Sequence, residues 1–439
     1  MAKKAHFFQY LLRTLLIIVL LSPVCIVLLG LQTSAKIEAV SPLGNQALNR
    51  VQNLILDRAP ANPSLSSQQQ VQLNNEELNL LLRYGMELLA TSEPIGIELS
   101  VQEQLLESNI SLKLSDKILP LYLNLTARFE STQHLPVLNS LRIGNLEIPQ
   151  RLLLAVTEFL KKHYLSDSVY YQDVQALLEN IEYIDFSSNQ MEVLLHWDPN
   201  LISRISNNAQ QMFISDADRQ RIVRHYRVLT EVAASFPESK RAAALKDFLA
   251  PMFLAAITNS QGDPIAENRT LFQTLAIYVN NENIEQLLGT SLAQSLPQAK
   301  YIEVRVQRRQ DLAKHIISIA AITASAGVDV AELLSTTKEA YDARYRMGFS
   351  FSDLTANIAG VSLARLATQD ENSARIMQQR LSQLSDDSDY LPLMSNQADG
   401  LSEADFNTLY QDQSSPSYLA KVAEIRKLVS ASVIFEGLQ

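Results

Sequence analysis

An uncharged apolar run near the start of the chain constrains this sequence more than any other feature. The run extends from Thr14 to Leu31, is almost wholly apolar and follows Lys3, Lys4 and Arg13. It is long enough to cross a bilayer, and the basic residues before it are expected to stay in the cytoplasm. The sequence therefore predicts one transmembrane helix within residues 1–35, with everything after about residue 33 outside the cytoplasm.

A cleaved signal peptide is the alternative, because Thr33-Ser34-Ala35 offers small residues to a peptidase. The uncharged run is longer than a usual signal-peptide core, so we favour an uncleaved anchor. The one cysteine of the chain, Cys25, lies inside the run and leaves the exported part without disulfides or thiolate chemistry. We expect a single-pass protein of a bacterial inner membrane, with most of the chain in the periplasm.

The charge balance narrows the class of partner. Among the 439 residues, 47 acids face 37 bases, and the formal net charge is -10. Nucleic-acid binding draws its affinity from clustered Lys and Arg, so we expect no nucleic-acid partner. The expected partners are the inner membrane, contacted through the N-terminal helix, and an envelope protein or a lipid.

The next segments predict a stalk and then an α+β domain. Residues 36–70 are interpreted as stalk and linker, since DRAPANPSLSSQQQ, residues 57–70, contains two prolines and no apolar periodicity. Within residues 71–200, short segments alternate apolar and polar residues, which predicts antiparallel strands, and a helix is expected from about 152 to 165. The predicted strands lie near 97–101, 110–114, 121–129, 141–143, 146–148, 181–186 and 191–197.

Residues 201–439 predict an all-α domain. The alternating pattern ends after Pro199, Pro251 is expected to kink or split one helix, and the acidic, Ser-rich stretch 385–402 is interpreted as an exposed loop. The fold class is therefore α+β: a transmembrane helix, a domain of antiparallel sheet plus helix, and a helical domain. The predicted helices cover 216–235, 238–259, 268–279, 308–326, 329–346, 351–367, 372–384 and 416–434.

The exported part lacks the usual signatures of several enzyme classes. It has no Walker loop, no G-x-G-x-x-G, no G-x-S-x-G, no H-E-x-x-H and no CxxC. Four histidines sit alone among unrelated neighbours and are interpreted as surface or core-edge residues: His134, His163, His196 and His225.

One constellation in the helical domain combines a histidine with carboxylates from three predicted helices. Glu339 and Asp342 are spaced i, i+3, and Asp353 and Asn357 i, i+4, so each pair shares a helix face. The candidate catalytic residues are His315, Glu339, Asp342 and Asp353. The residues that accompany them in the motif are Lys338, Phe349, Phe351, Asn357 and Gly360.

Two interpretations of this constellation stay open. The first is a metal or general acid/base site, because His and carboxylates on facing helices can build one in a bundle. The second, which spacing alone favours, is a buried network in which Asp353 and Glu339 pair with Lys338, Arg344 or His315. We predict no cofactor, and a divalent metal ion is compatible with the set although no ligand motif supports it.

The same residues resemble a known pattern. The order His315, then KEAYD from Lys338, then GFSFSDLTANIAG from Gly348 to Gly360 resembles the His/KExxD/FSxxDLxxNxxG pattern of YfiM-like bacterial envelope proteins, and is more distantly similar to that of VanZ-like membrane proteins. The resemblance covers about 50 residues and implies an envelope location and a polar helical core. The strands within 71–200 resemble YpmS-like extracytoplasmic domains, which also have one N-terminal span.

Two functions follow as hypotheses. The first is a non-enzymatic inner-membrane-anchored envelope protein that serves as a binding or accessory protein for a partner or an apolar ligand. The second is a hydrolase that acts on lipid or cell-wall glycan through His315, Glu339, Asp342 and Asp353. Carboxylates suffice for glycoside chemistry and histidine is a common base, but the sequence does not decide whether the chain is an enzyme.

Overall fold

The computed structural model of this chain describes residues 30–39, 45–60, 62, 65–88, 95–115, 119–132, 134–160, 175–200, 214–260, 262–345, 348–394 and 398–438. The predicted membrane run, Thr14–Leu31, lies outside these residues except for its last two positions. Within the described ranges no helix has the length and apolar character needed to cross a bilayer. The chain divides into two compact units: residues up to 54 with 63–201, here the sheet unit, and residues 55–62 with 202–439, here the helical unit.

The predicted antiparallel sheet is confirmed in the sheet unit. Its strands follow the order β3-β4-β5-β6-β7, and β1 pairs with β5 next to the end of β6. Alternation of apolar and polar residues gives each strand one face for the core and one polar face, as the sequence predicts. The strands are β1 Leu31–Gln32, β3 Ile95–Gln102, β4 Leu105–Ser115, β5 Leu121–Glu130, β6 Val137–Ile143 and β7 Leu146–Ile148.

A second sheet corrects the prediction of a stalk. Strand β2 (Ser67–Asn74) pairs along its whole length with β9 (Gln190–Trp197), which forms a hairpin with β8 (Ile181–Ser187). Gln68, Gln69 and Gln70 were interpreted as linker, but Gln70 donates a hydrogen bond to the Glu192 carboxylate on β9 at 2.8 Å, as does Gln72 two residues further along the same strand at 2.9 Å. Helices α1 (Asn45–Arg58) and α2 (Asn75–Leu88) flank this strand in sequence. Residues 45–58 and 67–70 are therefore regular secondary structure rather than linker.

The start of the predicted stalk also packs on the sheet. The Lys36 ammonium donates hydrogen bonds to Asn109 Oδ1 at 2.6 Å and to Thr126 Oγ1 at 2.9 Å. The Lys36 backbone N–H lies 3.1 Å from both Ser111 Oγ and Asn124 Oδ1. These four partners are buried polar side chains of β4 and β5, and buried polar groups need such partners. Residues near 36 thus cover the polar face of the first sheet.

Helix α3 (Gln150–Leu160) follows β7 after Pro149, and residues 161–165 of the predicted helix lie outside the described part. Leu153 is buried, whereas Leu152, Leu154 and Phe159 are each more than half exposed. The helix is therefore amphipathic, with Leu153 on its buried side.

The helical unit has the predicted α-helices with several corrected boundaries. The segment expected as one helix from 238 begins its helix at Lys246, because Ala242–Ala244 forms strand β10 in parallel pairing with β11 (Glu303–Arg305). The helix then continues through Pro251 without interruption. The described helices of eight residues or more in this unit are α4 Asp216–Ser235, α5 Lys246–Asn259, α6 Pro264–Val279, α7 Gln310–Ala326, α8 Val328–Tyr345, α9 Phe351–Thr368, α10 Glu371–Leu381, α11 Glu403–Tyr410 and α12 Pro416–Ser430.

The stretch 385–402, expected as an exposed loop, instead contributes to the core. Tyr390 and Leu391 are fully buried, and the Tyr390 hydroxyl donates a hydrogen bond to Asp387 Oδ1 at 2.6 Å. The acidic and serine residues near them cap a single 3-10 turn. Their polarity is the reason why the sequence predicted an exposed loop. Asp399 from the same stretch reaches the site described below.

Candidate functional site

Helices α7, α8 and α9 carry the predicted site residues. α7 and α9 pack closely because Gly360 of α9 has no side chain: a Cβ there would lie 2.3 Å from the Ile316 carbonyl oxygen. The N-terminus of α9 is capped by Ser350, whose hydroxyl accepts a hydrogen bond from the Asp353 N–H at 3.0 Å. These two contacts place His315 of α7 opposite the first turns of α9.

The structure brings together three of the four predicted catalytic residues. His315, Glu339 and Asp353 each offer one metal-ligating atom, and these atoms lie within 4.8 Å of one another. The three side chains come from three different helices and are mostly buried, with exposed fractions of 11% for His315, 1% for Glu339 and 16% for Asp353. A histidine nitrogen with two carboxylates is a ligand set that could hold a divalent metal ion.

Both ring nitrogens of His315 face oxygen atoms. Nε2 lies 3.2 Å from Asp353 Oδ2, and Nδ1 lies 3.0 Å from Asn357 Oδ1. Burial lowers the pKa of His315, but the hydrogen bond and charge of Asp353 outweigh it and hold this pKa above its usual value. An Nδ1–H that donates to Asn357 would leave the Nε2 lone pair directed at the carboxylates, which is how metal-ligating histidines are held.

Glu339 is the most perturbed carboxyl group of the site. Burial raises its pKa to about 7, and the Asp353 charge adds to this while Lys338 and His315 oppose it. Its partners are distant: the Ser350 N–H lies 3.3 Å from Oε2, and the Lys338 ammonium lies 3.5 Å from Oε1. A buried carboxyl group with a pKa near 7 changes charge at neutral pH, which suits either a general base or a metal ligand.

Two charged residues of the site were missed at the level of sequence. Arg309 donates hydrogen bonds to Asp353 Oδ1 at 3.3 Å and to Asp399 Oδ2 at 3.0 Å. Asp399 also accepts from the Ser350 hydroxyl and the Ser352 N–H, both at 2.9 Å. Burial alone would raise the pKa of Asp399, but these hydrogen bonds hold it below its usual value. Neither residue stands in a recognisable motif, so no local signal could have found them.

Asp342 does not join the metal-ligating group. Its carboxylate instead pairs with the Lys338 ammonium at 2.7 Å, one helical turn earlier on α8. Arg344, expected as a partner of the site, pairs with Asp57 and Glu403, both at 2.9 Å. Among the described residues, Arg309 pairs with Asp311, Asp353 and Asp399, and Lys338 pairs with Glu339 and Asp342, so that five carboxyl groups of this network share two cations. The excess of negative charge favours a bound cation.

Phe349 and Phe351 form a hydrophobic wall beside this centre. Both rings are buried and contact one another with centroids 5.0 Å apart, and each also contacts the ring of Tyr418. The Tyr418 hydroxyl is buried without a hydrogen-bond partner among the described residues. Burial raises the pKa of Tyr418, and the charge of Glu339 raises it further. The motif phenylalanines therefore act in packing, and a tyrosine hydroxyl close to Glu339 has unused hydrogen-bonding capacity.

The interpretation of the four isolated histidines as surface or core-edge residues is wrong for one of them. His134 and His196 are exposed, as expected, and His163 lies outside the described residues, but His225 is fully buried. His225 Nε2 lies 3.2 Å from Glu267 Oε1, and Arg224 pairs with the same carboxylate. Burial lowers the pKa of His225 to about 4. The residues lie 42 positions apart on α4 and α6, so sequence reasoning had no signal for this pair.

Comparison of the chain with protein-family models, with curated proteins and with solved structures found no match. The resemblance to YfiM-like and VanZ-like envelope proteins stays a prediction, as does the resemblance to YpmS-like domains.

Proposed function

We propose that this chain is a membrane-anchored protein that acts outside the cytoplasm, in a bacterial envelope. The uncharged run Thr14–Leu31 supports one N-terminal transmembrane helix, and Lys3, Lys4 and Arg13 support its orientation. The order of His315 and the two motifs after it supports the same location through its resemblance to envelope proteins. The expected partners remain an envelope protein or a lipid.

We further propose that the helical unit binds one divalent metal ion through His315, Glu339 and Asp353. The observation that carries this proposal is that ligating atoms from three helices lie within 4.8 Å of one another. Asn357 supports it by holding the His315 ring, and the surrounding carboxylates outnumber the cations. In this function the ion links α7, α8 and α9 and stabilises the surface that an accessory or binding protein presents to its partner or apolar ligand.

A hydrolase is the second candidate, and one observation favours it. Burial raises the pKa of Glu339 to about 7, where a carboxylate is an effective general base at neutral pH. A metal ion beside it would supply an activated water. In this alternative the substrate is a lipid or a cell-wall glycan, Glu339 accepts the proton, and Asp353 orients His315.

The metal site is tested by measuring ion content and affinity on the full chain in detergent. Protein washed with a chelator is titrated with Zn²⁺ and with Mn²⁺ by calorimetry. We expect one ion per chain, loss of binding in Glu339→Gln, and binding weakened about 10–100-fold in Asn357→Ala because that residue orients a ligand. Glu332→Gln is the matched control, since Glu332 lies on the same helix and its ion pair with Arg426 is outside the site.

Equal affinity of the wild type and Glu339→Gln, or no binding by either, would overturn the metal proposal. The same proteins then separate the two functions. Incubation of the ion-loaded chain with phospholipid vesicles and with isolated cell-wall sacculi should yield no products if the protein is an accessory factor. Products that disappear in Glu339→Gln and persist in Glu332→Gln would instead support the hydrolase.

A further inference from the structure

A second cavity lies in the helical unit at the C-terminal end of α6. Its volume is about 400 Å³, and none of the residues that line it belongs to the site around His315. The walls are Tyr226 of α4, the last turn of α6 and parts of the segment 281–301. Small-molecule sites in proteins have volumes of about 300–1,000 Å³. The cavity is therefore large enough to hold a small ligand.

Three tyrosine rings line this cavity. Tyr226 comes from α4, Tyr278 from α6 and Tyr301 from the segment that follows. The rings of Tyr278 and Tyr301 contact each other with centroids 5.8 Å apart. The Tyr278 hydroxyl donates a hydrogen bond to the Lys300 carbonyl oxygen and accepts one from the Ile302 N–H, both at 2.9 Å. These hydrogen bonds fix the aromatic wall before any ligand enters, which lowers the entropic cost of binding.

The charge of the lining is negative. Among the described residues that line the cavity, Glu282 and Glu285 are acidic and none is Lys, Arg or His. The C-terminal end of α6 adds partial negative charge, because Ile277 and Tyr278 of its last turn are part of the wall. Burial raises the pKa of Glu282, while the charge of Lys314 opposes this shift. A carboxylate that is partly shielded from water is stabilised by a cation close to it.

We propose that this cavity binds a small organic cation, an alkylammonium ion, against the tyrosine rings with Glu282 as its counter-ion. The face of an aromatic ring attracts a cation, and aromatic walls recognise quaternary ammonium groups in this way. A phosphate group does not fit the lining, since no basic side chain among the described lining residues would pair with it. The free alkylammonium ion is therefore the expected ligand, rather than the headgroup of a phospholipid. This site does not depend on the proposed metal ion.

The test titrates the full chain in a non-ionic detergent by calorimetry, with a chelator present so that the candidate metal site stays empty. The probes are choline, phosphocholine and 3,3-dimethyl-1-butanol, which has the shape of choline without its charge. We expect one saturable site for choline per chain. The neutral alcohol should bind about tenfold more weakly or worse, because it gains nothing from the ring faces or the carboxylate. Phosphocholine should also bind more weakly than choline.

Two variants and a matched control assign the binding to the cavity. Glu282→Gln removes the counter-ion and Tyr301→Leu removes one ring, and each should weaken choline binding about tenfold. Glu231→Gln removes the same charge from an exposed position of α4 that does not line the cavity, so it should bind choline as the wild type does.

Three results would overturn the proposal. The first is equal binding of choline and the neutral alcohol, or no saturable binding at millimolar choline. The second is the same choline affinity in Glu282→Gln and Glu231→Gln. The third is tighter binding of phosphocholine than of choline, which would mean that the site accepts a phosphate group. The comparison of choline with the neutral alcohol uses the wild type alone, so a variant that fails to fold leaves the test intact.

Discussion

Replacement of Gly360 by alanine should destabilise the helical unit and disturb the site together. The new Cβ would lie 2.3 Å from the Ile316 carbonyl oxygen and 2.4 Å from Ile319 Cγ2, against an ordinary contact of 3.4 Å or more. One helix must therefore move by about 1 Å. Because a backbone oxygen cannot rotate away, we take the upper range of overpacking costs, about 3 kcal/mol. Alanine returns about 1 kcal/mol in helix propensity, so the net loss is about 2 kcal/mol.

The assay follows thermal unfolding of the full chain by circular dichroism at a helix-sensitive wavelength. A loss of about 2 kcal/mol corresponds to a fall of about 4–8 °C in melting temperature for a unit of this size. The sheet unit is followed separately through the fluorescence of Trp197, the only tryptophan of the chain, which should be unaffected. Since His315 is next to Ile316, the same variant should also bind Zn²⁺ more weakly.

Two glycines provide controls of known surroundings. A Cβ on Gly262, in the helical unit, meets nothing within 4 Å, so Gly262→Ala should change stability by no more than about 0.5 kcal/mol. Gly85 lies inside α2 with equally open space, and Gly85→Ala should stabilise the sheet unit by about 0.5–1 kcal/mol. A Gly360→Ala protein as stable as the Gly262→Ala protein would refute the close-packing argument.

Three further predictions concern pH and the segment that follows the predicted anchor. The folded pKa of Glu339 is about 7 against 4.5 unfolded, so its contribution to stability is full below pH 4.5 and is lost as pH rises through 7. In chelator, Glu339→Gln should therefore be more stable than wild type by about 3 kcal/mol at pH 8 and equal to it near pH 4 by denaturant titration. The folded pKa of His225 is about 4 against 6.5, so wild type should lose about 3 kcal/mol between pH 6.5 and 4, a loss that His225→Gln should not show. In Gly96→Ala the new Cβ would lie 2.1 Å from the Ile37 carbonyl oxygen, which should release this segment and allow trypsin to cleave after Lys36.

Each of these predictions has a result that contradicts it. A stability difference between Glu339→Gln and wild type that does not vary with pH would show that the carboxyl group is not protonated at neutral pH. If the stability of wild type and of His225→Gln had the same dependence on pH, the prediction that His225 is buried as a neutral imidazole would be wrong. Resistance to trypsin at Lys36 in Gly96→Ala, with cleavage no faster than in Gly85→Ala, would show that the segment does not need the bare glycine.

Alternation along the chain identified the strands of the first sheet because a strand with one buried face must repeat every second residue. The sequence predicted the wrong secondary structure for segments that form a strand only by pairing with residues far away in the chain. Ser67–Gln70 has no apolar residue, and it forms a strand because it pairs with β9 and because Gln68 and Gln70 donate hydrogen bonds to carboxylates of β8 and β9. Ala242–Ala244 has high helix propensity, yet pairing with β11 places it in a strand.

The sequence likewise predicted only part of the candidate site. Helical spacing placed Asp353 with Asn357 and proposed His315 as their neighbour, and the structure joins all three. Spacing could not exclude Asp342 from the predicted site, because Glu339 and Asp342 are spaced i, i+3 and share a helix face. Spacing does not tell which of the two side chains contacts the neighbouring helix.

The amino-acid sequence alone was enough to establish the periods of strand and helix, the charge balance and the apolar run, since each depends only on composition or on residues that are close together in the chain. The centre at His315, Glu339 and Asp353 depends on contacts between α7, α8 and α9, and its perturbed carboxyl group depends on burial, which no short segment encodes. The same holds for Arg309 and Asp399, which lie 90 positions apart and meet only because the chain folds back on itself.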